Sequence, residues 1–166
     1  LTNNSWHISV SSKKHVSQFA STPQGRSKCR PLPLPNDLVT SNRLLEETKE
    51  IGVLDSEIDG GLSFKGVHDL SHCCSICIKG GVATGEELLE IAETLSSARR
   101  LRRQIDDREL FPTLTELLLD LATLPELEKL FKFALEEGGR IADRASPVLA
   151  GLRRNANILR LERRDL

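Results

Sequence analysis

In its second half the chain repeats one short pattern, a threonine followed three positions later by a glutamate at the head of an apolar run: Thr84-Gly85-Glu86-Glu87, Thr113-Leu114-Thr115-Glu116 and Thr123-Leu124-Pro125-Glu126. This is the pattern of a capping box, in which a hydroxyl and a carboxylate satisfy each other's backbone donors and fix where a helix starts. After Thr84, the residues Leu88, Leu89, Ile91, Ala92, Leu95, Ala98 and Ile105 recur at helical spacing, a stripe about five turns long. The other two boxes introduce Leu114, Leu117, Leu118 and Leu121, then Leu127, Leu130, Phe131, Ala134 and Leu135, sets that are expected to face a shared core. Tyr and Met are absent and aromatic residues make up 4% of the 166 positions. Such a mixture favours helices over sheets, and the expected class is all-α: a helical bundle leading into a long, coiled-coil-like helix.

Three segments follow from the punctuation. Residues 1–35 read as an irregular arm in which Val10, Val16, Phe19 and Ala20 line one face of a short helix, closed by Pro31-Leu32-Pro33-Leu34-Pro35 as an extended connector. Residues 36–145 form the helical core segment. There Asn36-Asp37 caps a helix of about 15 residues that carries Leu38, Leu44, Leu45 and Ile51 inward and Glu46, Glu47 and Glu50 outward. Gly52 is expected to end that helix, Asp55 to Gly66 to form a loop, Val67 to Ile78 a helical turn, and Gly80-Gly81 and Gly138-Gly139 two turns. The third segment, 146–166, begins at Ser146-Pro147, and Leu149, Leu152, Ala156 and Leu159 follow in a heptad-like seam. The seam is still running at Leu166, and the chain opens Leu1-Thr2-Asn3 without a methionine, so the expectation is a piece of a longer protein.

The formal charge of −1 demands no polyanionic or cationic partner overall, and local charge has to carry any such argument. The apolar runs are far shorter than the roughly 18 to 20 residues of a membrane span, so no membrane partner is expected. Of the four cysteines, Cys29, Cys73, Cys74 and Cys77, three crowd into five positions, a poor layout for a secreted disulfide framework. A reducing intracellular compartment fits better. The Ser-rich, basic front, with no acid in residues 1 to 30, has the composition of an organelle transit peptide and suggests a plastid.

Chemistry-bearing clusters each have a plainer reading. His68, His72, Cys73, Cys74 and Cys77 contain soft ligands, but no Cys or His follows Cys77 to supply the distant pair of a structural zinc site, so no metal is expected. Cys73 and Cys77 share a helix face and read as small apolar fillers of a core. Arg99, Arg100, Arg102 and Arg103 are candidate phosphate contacts, although cations at the negative end of a helix dipole, neutralised by Asp106, Asp107 and Glu109, are the preferred account. On the last helix Arg153, Arg154, Arg160, Arg163 and Arg164 outnumber Glu162 and Asp165. They suit a DNA backbone, a partner helix or a solvated face, and charge alone does not choose among these. There is no phosphate loop, no G-x-G-x-x-G and no nucleophile elbow, so no catalytic residue is assigned.

Two blocks carry a resemblance. Lys79-Gly80-Gly81-Val82-Ala83-Thr84-Gly85-Glu86-Glu87-Leu88-Leu89-Glu90-Ile91-Ala92, continuing through Leu95, Ala98, Arg99, Arg100 and Leu101, resembles the beginning of type-two MutS proteins. Asp143-Arg144-Ala145-Ser146-Pro147-Val148-Leu149-Ala150-Gly151-Leu152-Arg153-Arg154 resembles that family's entry into its long lever helix. Leu124 to Leu127, Leu44 to Thr48 and Phe19 to Arg26 fit the places between and before them, so the resemblance covers roughly Trp6 to Asp165. It implies a homodimer whose core and lever contact mismatched or branched DNA, with an ATPase domain and often a nuclease domain further along. ATP and Mg would serve the full-length protein, and this segment itself would hold no cofactor. The His72 to Cys77 run departs from the family pattern, as do Asn155 and Asn157 in the seam.

Two functional classes lead on the sequence, ahead of a small metal or redox protein built on the Cys73, Cys74 and Cys77 cluster. One is the DNA-engaging core and lever of such an ATPase, active in DNA repair or recombination control. The other is an independent all-helical protein-interaction module that uses the 149, 152, 156 and 159 seam and never touches nucleic acid.

Overall fold

The computed structural model describes residues 10–32, 34–105 and 109–164. Trp6, Asp106, Asp107, Asp165 and Leu166, which entered the sequence reading, lie outside them. The described residues form helices α1 (Val10–Gln18), α2 (Pro23–Cys29), α3 (Leu38–Glu57), α4 (Ser71–Ile78), α5 (Gly85–Ile105), α6 (Pro112–Leu117), α7 (Pro125–Ala134) and α8 (Pro147–Arg164), with single 3₁₀ turns at Glu137–Gly139 and Asp143–Ala145. Apart from one isolated bridge between Leu135 and Ile141, no β-structure occurs among them, so the fold is all-α. They fall into two compact units, one drawn from Leu1–Asp69 and Ser97–Thr123, the other from Leu70–Ser96 and Leu124–Leu166. Each unit receives half of α5. The apolar sets after the second and third boxes therefore belong to different units and do not share a core.

Within the first unit, the Asp37 carboxylate opens α3 by accepting from the Thr40 amide and hydroxyl, each at 2.7 Å, and these bonds hold its pKa below the usual range. The helix does not stop at Gly52 as the sequence suggests. It continues to Glu57, because the next turn carries Leu54, which is 3% exposed and packs with Ile105, Phe111 and Leu114. Burying a leucine stabilises by roughly 1.5 to 3 kcal/mol, more than the 0.5 to 1 that a glycine costs within a helix. Asp55 then ties down the following loop by accepting from the Leu62 amide at 2.6 Å. In the arm, Val16 and Phe19 on the apolar face of α1 are exposed, and the Phe19 ring stands edge-on to His15. A second helix, α2, capped by Thr22, follows where an irregular arm was expected.

Of the three capping boxes only the first forms. Thr84 N and Thr84 Oγ1 donate to Glu87 Oε2 at 2.7 and 2.9 Å, which lowers the Glu87 pKa, and Glu87 N donates to Thr84 Oγ1 at 3.2 Å. Proline explains the failure of the other two. It excludes its predecessor from helical backbone, so Phe111 before Pro112 and Leu124 before Pro125 take the cap position, and neither can cap with its side chain. At α6 the vacancy is filled from another helix. Glu50 of α3, expected to face outward, accepts from the Thr113 amide through Oε1 at 3.1 Å and from the Leu114 amide through Oε2 at 2.8 Å. Burial acts to raise its pKa, but the bonds from Thr113 and Leu114 outweigh it and the pKa is lowered.

In the second unit the stripe of α5 presents Ala92, 2% exposed, and the turn after α7 contributes Leu135 and the fully buried Ala142. That turn is closed by Glu136 N donating to Arg140 O and Ala142 N to Ala134 O, both at 2.8 Å. It lies directly against the start of α5: a Cβ on Gly85 would stand 1.8 Å from Gly139 O, and one on Gly139 would stand 2.4 Å from Glu86 N. Glu128 of α7 is buried and paired with Lys132 at 2.7 Å.

Two consequences can be measured. Glu50→Ala should lower the chain's stability by about 1 kcal/mol in chemical denaturation at neutral pH, the cost of losing a helix cap. Because the folded-state pKa of Glu50 is depressed, its contribution is complete above the unfolded value and is lost as pH falls through the folded one. The gap between the two proteins should therefore narrow in acid. Glycine replacements should have opposite signs: Gly52→Ala, with nothing within 4 Å of its added Cβ, should raise stability by about 0.5 to 1 kcal/mol, whereas Gly85→Ala should lower it by about 1 to 3 kcal/mol as backbones are forced apart.

Candidate nucleic-acid interface

The nine arginines singled out from the sequence fall into two sets, one in each compact unit. Those of α5 lie on its second half, in the first unit. Arg100 is turned back onto the chain and donates through Nη2 to Ser63 O at 3.2 Å and Lys65 O at 2.9 Å. Beside it Ser97, 3% exposed, donates to the same Lys65 carbonyl at 2.7 Å. Arg102 donates to Leu121 O at 2.7 Å, closing the loop after α6. Arg99 is half-buried and engaged, and Arg103 is exposed. Loops carry carbonyls that no helix or strand satisfies, and a guanidinium with five donors can hold two of them at once. Two of the four α5 arginines are thus tethers for loops rather than ends of a helix dipole.

Helix α8, in the second unit, starts from a local framework. Ser146 precedes Pro147, its hydroxyl accepts from the Leu149 amide at 3.4 Å, and its carbonyl accepts from Ala150 N at 3.0 Å. Arg144 donates to Leu135 O at 3.1 Å and lies over the Phe133 ring at 5.9 Å, which satisfies a carbonyl at the end of α7. Arg153 donates to Ile141 O at 2.8 Å and pairs with Asp143. These contacts give structural work to residues of both blocks that carry the resemblance. Thr84, Gly85 and Glu87 from the first, and Asp143, Arg144, Ser146 and Arg153 from the second, all act within this unit.

Beyond Arg153 every described residue of α8 is exposed, Leu159 at 65%, and Leu152, just before Arg153, is 63% exposed. At about 100° per residue, Leu149, Leu152, Ala156 and Leu159 fall on one strip of the helix, and Arg163 falls among them. Arg153, Arg160 and Arg164 line a second strip within about 40° of one another, immediately beside it, and Arg154 lies on the far side. Five arginines face a single carboxylate, Glu162, within Pro147–Arg164. Arg154, Arg160, Arg163 and Arg164 have no ion-pair partner among the described residues. The arrangement can therefore present fixed positive charge to a polyanion and an apolar seam to another helix.

The cysteine run forms α4. Cys73 is buried and its thiol is pushed up in pKa by burial first and by Glu87 second, while Cys74 and Cys77 are exposed. The core-filling role expected for Cys73 and Cys77 thus holds for Cys73 alone, because the helix buries only one turn of that face. No group of three or more His, Cys, Asp and Glu side chains converges as a metal site among the described residues. Sequence reasoning missed Glu50, Arg100, Arg102, Arg144 and Arg153 as tethers. Their targets are backbone groups on loops, which leave no pattern in side-chain identity.

No family model and no solved structure matches the chain. Among curated proteins, one named Endonuclease MutS2 from Synechocystis sp. is 37% identical over 147 residues, covering 89% of this chain and 18% of that protein. Its namesake from Symbiobacterium thermophilum is 34% identical over 149 residues, again 89% of this chain and 18% of the relative. A third, from Pelotomaculum thermopropionicum, is 46% identical over 77 residues, or 46% of this chain and 10% of that protein. The chain thus spans less than a fifth of the length of these relatives. With this identity to several such relatives over most of its length, the chain belongs to the type-two MutS family.

Proposed function

We propose that this chain is the core and lever segment of a DNA-binding ATPase of the MutS kind that acts in DNA repair or recombination control, and that α8 supplies its DNA contacts. The observation that carries the reading is the row of arginines on α8, exposed and without carboxylate partners among the described residues, on a helix from a family of DNA-processing proteins. Arg160, Arg163 and Arg164, which lie within about 100° of one another, are the proposed phosphate contacts, with Arg154 on the far side of α8 and Arg103 and Arg99 in the first unit as further candidates. Arg153, Arg100 and Arg102 are already engaged by backbone carbonyls and take a supporting role. Guanidinium groups bind phosphate oxygens without reading sequence, so this contact favours DNA shape over base identity. ATP and Mg would be held elsewhere in the full-length protein, since this sequence has no phosphate loop. A nuclease activity, which the name of the relatives denotes, would also lie outside this segment, and a homodimer is the proposed assembly.

A second reading rests on the exposed seam: Leu152, Leu159 and Ala156 could pack against a partner helix with no nucleic acid involved. Salt separates the two. If α8 tracks a duplex through Arg160, Arg163 and Arg164, the plot of log K against log salt should have a slope of about −3 in a fluorescence anisotropy titration with branched or duplex DNA. Replacing Arg154, Arg160, Arg163 and Arg164 by alanine should remove most of that slope. Binding to DNA that ignores both salt and these substitutions, or salt-insensitive self-association through the seam without DNA binding, would refute the α8 assignment.

A further inference from the structure

Outside α8, the described residues hold one other concentration of unneutralised positive charge. Helices α1 and α2 pack together in the first unit, and beside them opens a cavity of about 490 Å³ lined by Lys13, Lys14, Ser17, Gln18 and Arg30. Lys13 and Ser17 stand one turn apart on α1, and so do Lys14 and Gln18, so two adjacent rows of the helix form one wall. Arg30, the residue after α2, completes the lining. Among the described residues no carboxylate lines the cavity, and the first acidic residue in the sequence is Asp37. None of Lys13, Lys14 and Arg30 has an ion-pair partner among the described residues. Arg26 and Lys28 of α2, both exposed, add to the same field.

We propose that this cleft binds phosphate groups and takes the phosphodiester backbone of nucleic acid, as a contact separate from the one on α8. Three cations gathered without a counter-charge repel one another, and that repulsion is relieved by a polyanion more than by a single carboxylate. The available donors are two ammonium groups, a guanidinium and the Gln18 amide. The Ser17 hydroxyl proton is already given to Lys14 O at 2.7 Å. The volume lies within the range of about 300 to 1,000 Å³ usual for ligand sites, and the described residues that line it offer no aromatic ring. Ammonium, guanidinium and amide donors suit phosphate oxygens, which carry no base identity.

The test uses the chain with Lys13→Ala, Lys14→Ala and Arg30→Ala together, titrated against a mixed-sequence DNA duplex at several salt concentrations. Alanine favours helix, so α1 should persist, and circular dichroism checks this. Affinity should fall about tenfold or more, and the salt slope should become shallower by about 2 to 3, equally for unrelated sequences. A charge-preserving set, Lys13→Arg, Lys14→Arg and Arg30→Lys, should keep binding and so separates charge from folding. If the alanine set binds like the unaltered chain while the α8 variants do not, the cleft proposal is overturned and the α8 reading survives. If only the alanine set loses binding, the cleft stands and the α8 reading fails.

Discussion

The reciprocal hydrogen bonds between Thr84 and Glu87 set the start of the longest helix, and much of the remaining structure depends on that start. Once α5 begins at Gly85, its register decides which residues each compact unit receives: Ala92 for one, Ser97 and Ile105 for the other. The same start leaves Gly85 at a point where the chain after α7 approaches to within a distance that no side chain would permit. A one-residue shift of the helix would put Glu86 there and turn the stripe by about 100°. A local pair of hydrogen bonds thus selects a tertiary arrangement.

Few side chains are buried, and polar groups take over part of the work that a large core would do. Glu50 caps α6 from α3, Arg100 and Ser97 meet on one carbonyl, Arg102 closes the loop after α6, and Arg144 and Arg153 hold the turns around the start of α8. A buried or half-buried backbone group left without a partner costs about 1 to 3 kcal/mol, so each tether removes a penalty even where its own net contribution is small. For function, this means that positive charge in the sequence is a poor guide to positive charge available for a ligand. Of nine arginines considered for DNA, three are committed to carbonyls. The exposed ones on α8, Arg103 on α5 and the Lys13, Lys14 and Arg30 cleft are open to a polyanion.

Helix α8 combines both properties that its sequence announces, an apolar seam and a basic strip beside it, and beyond Arg153 no part of the described structure covers either. An exposed seam of this kind invites another helix, and the basic strip beside it is compatible with a polyanion at the same time. The two strips occupy neighbouring faces, and the uses meet only at Arg163, which lies among the seam residues.

The sequence by itself determined the helical class, the start of α5, the start of α8 at Ser146-Pro147 and the family, because each rests on residues close together in the chain. Capping, helical spacing and the breaks imposed by proline and glycine are local physics, and local physics is written in order. It also named the arginines of α8, since a run of like charge is visible without coordinates. The tertiary structure decided the rest. Whether Gly52 would end α3 depended on Leu54 finding Ile105 and Phe111, some 50 positions away. Whether the Thr113 box would form depended on proline stereochemistry and on a carboxylate from another helix. The cleft of Lys13, Lys14 and Arg30 exists only because α1 folds against α2, and which arginines are spent on loop carbonyls depends on where those loops end up. Hydrogen bonds to backbone are indifferent to the identity of the residue that offers the carbonyl, so the sequence has no letter for them.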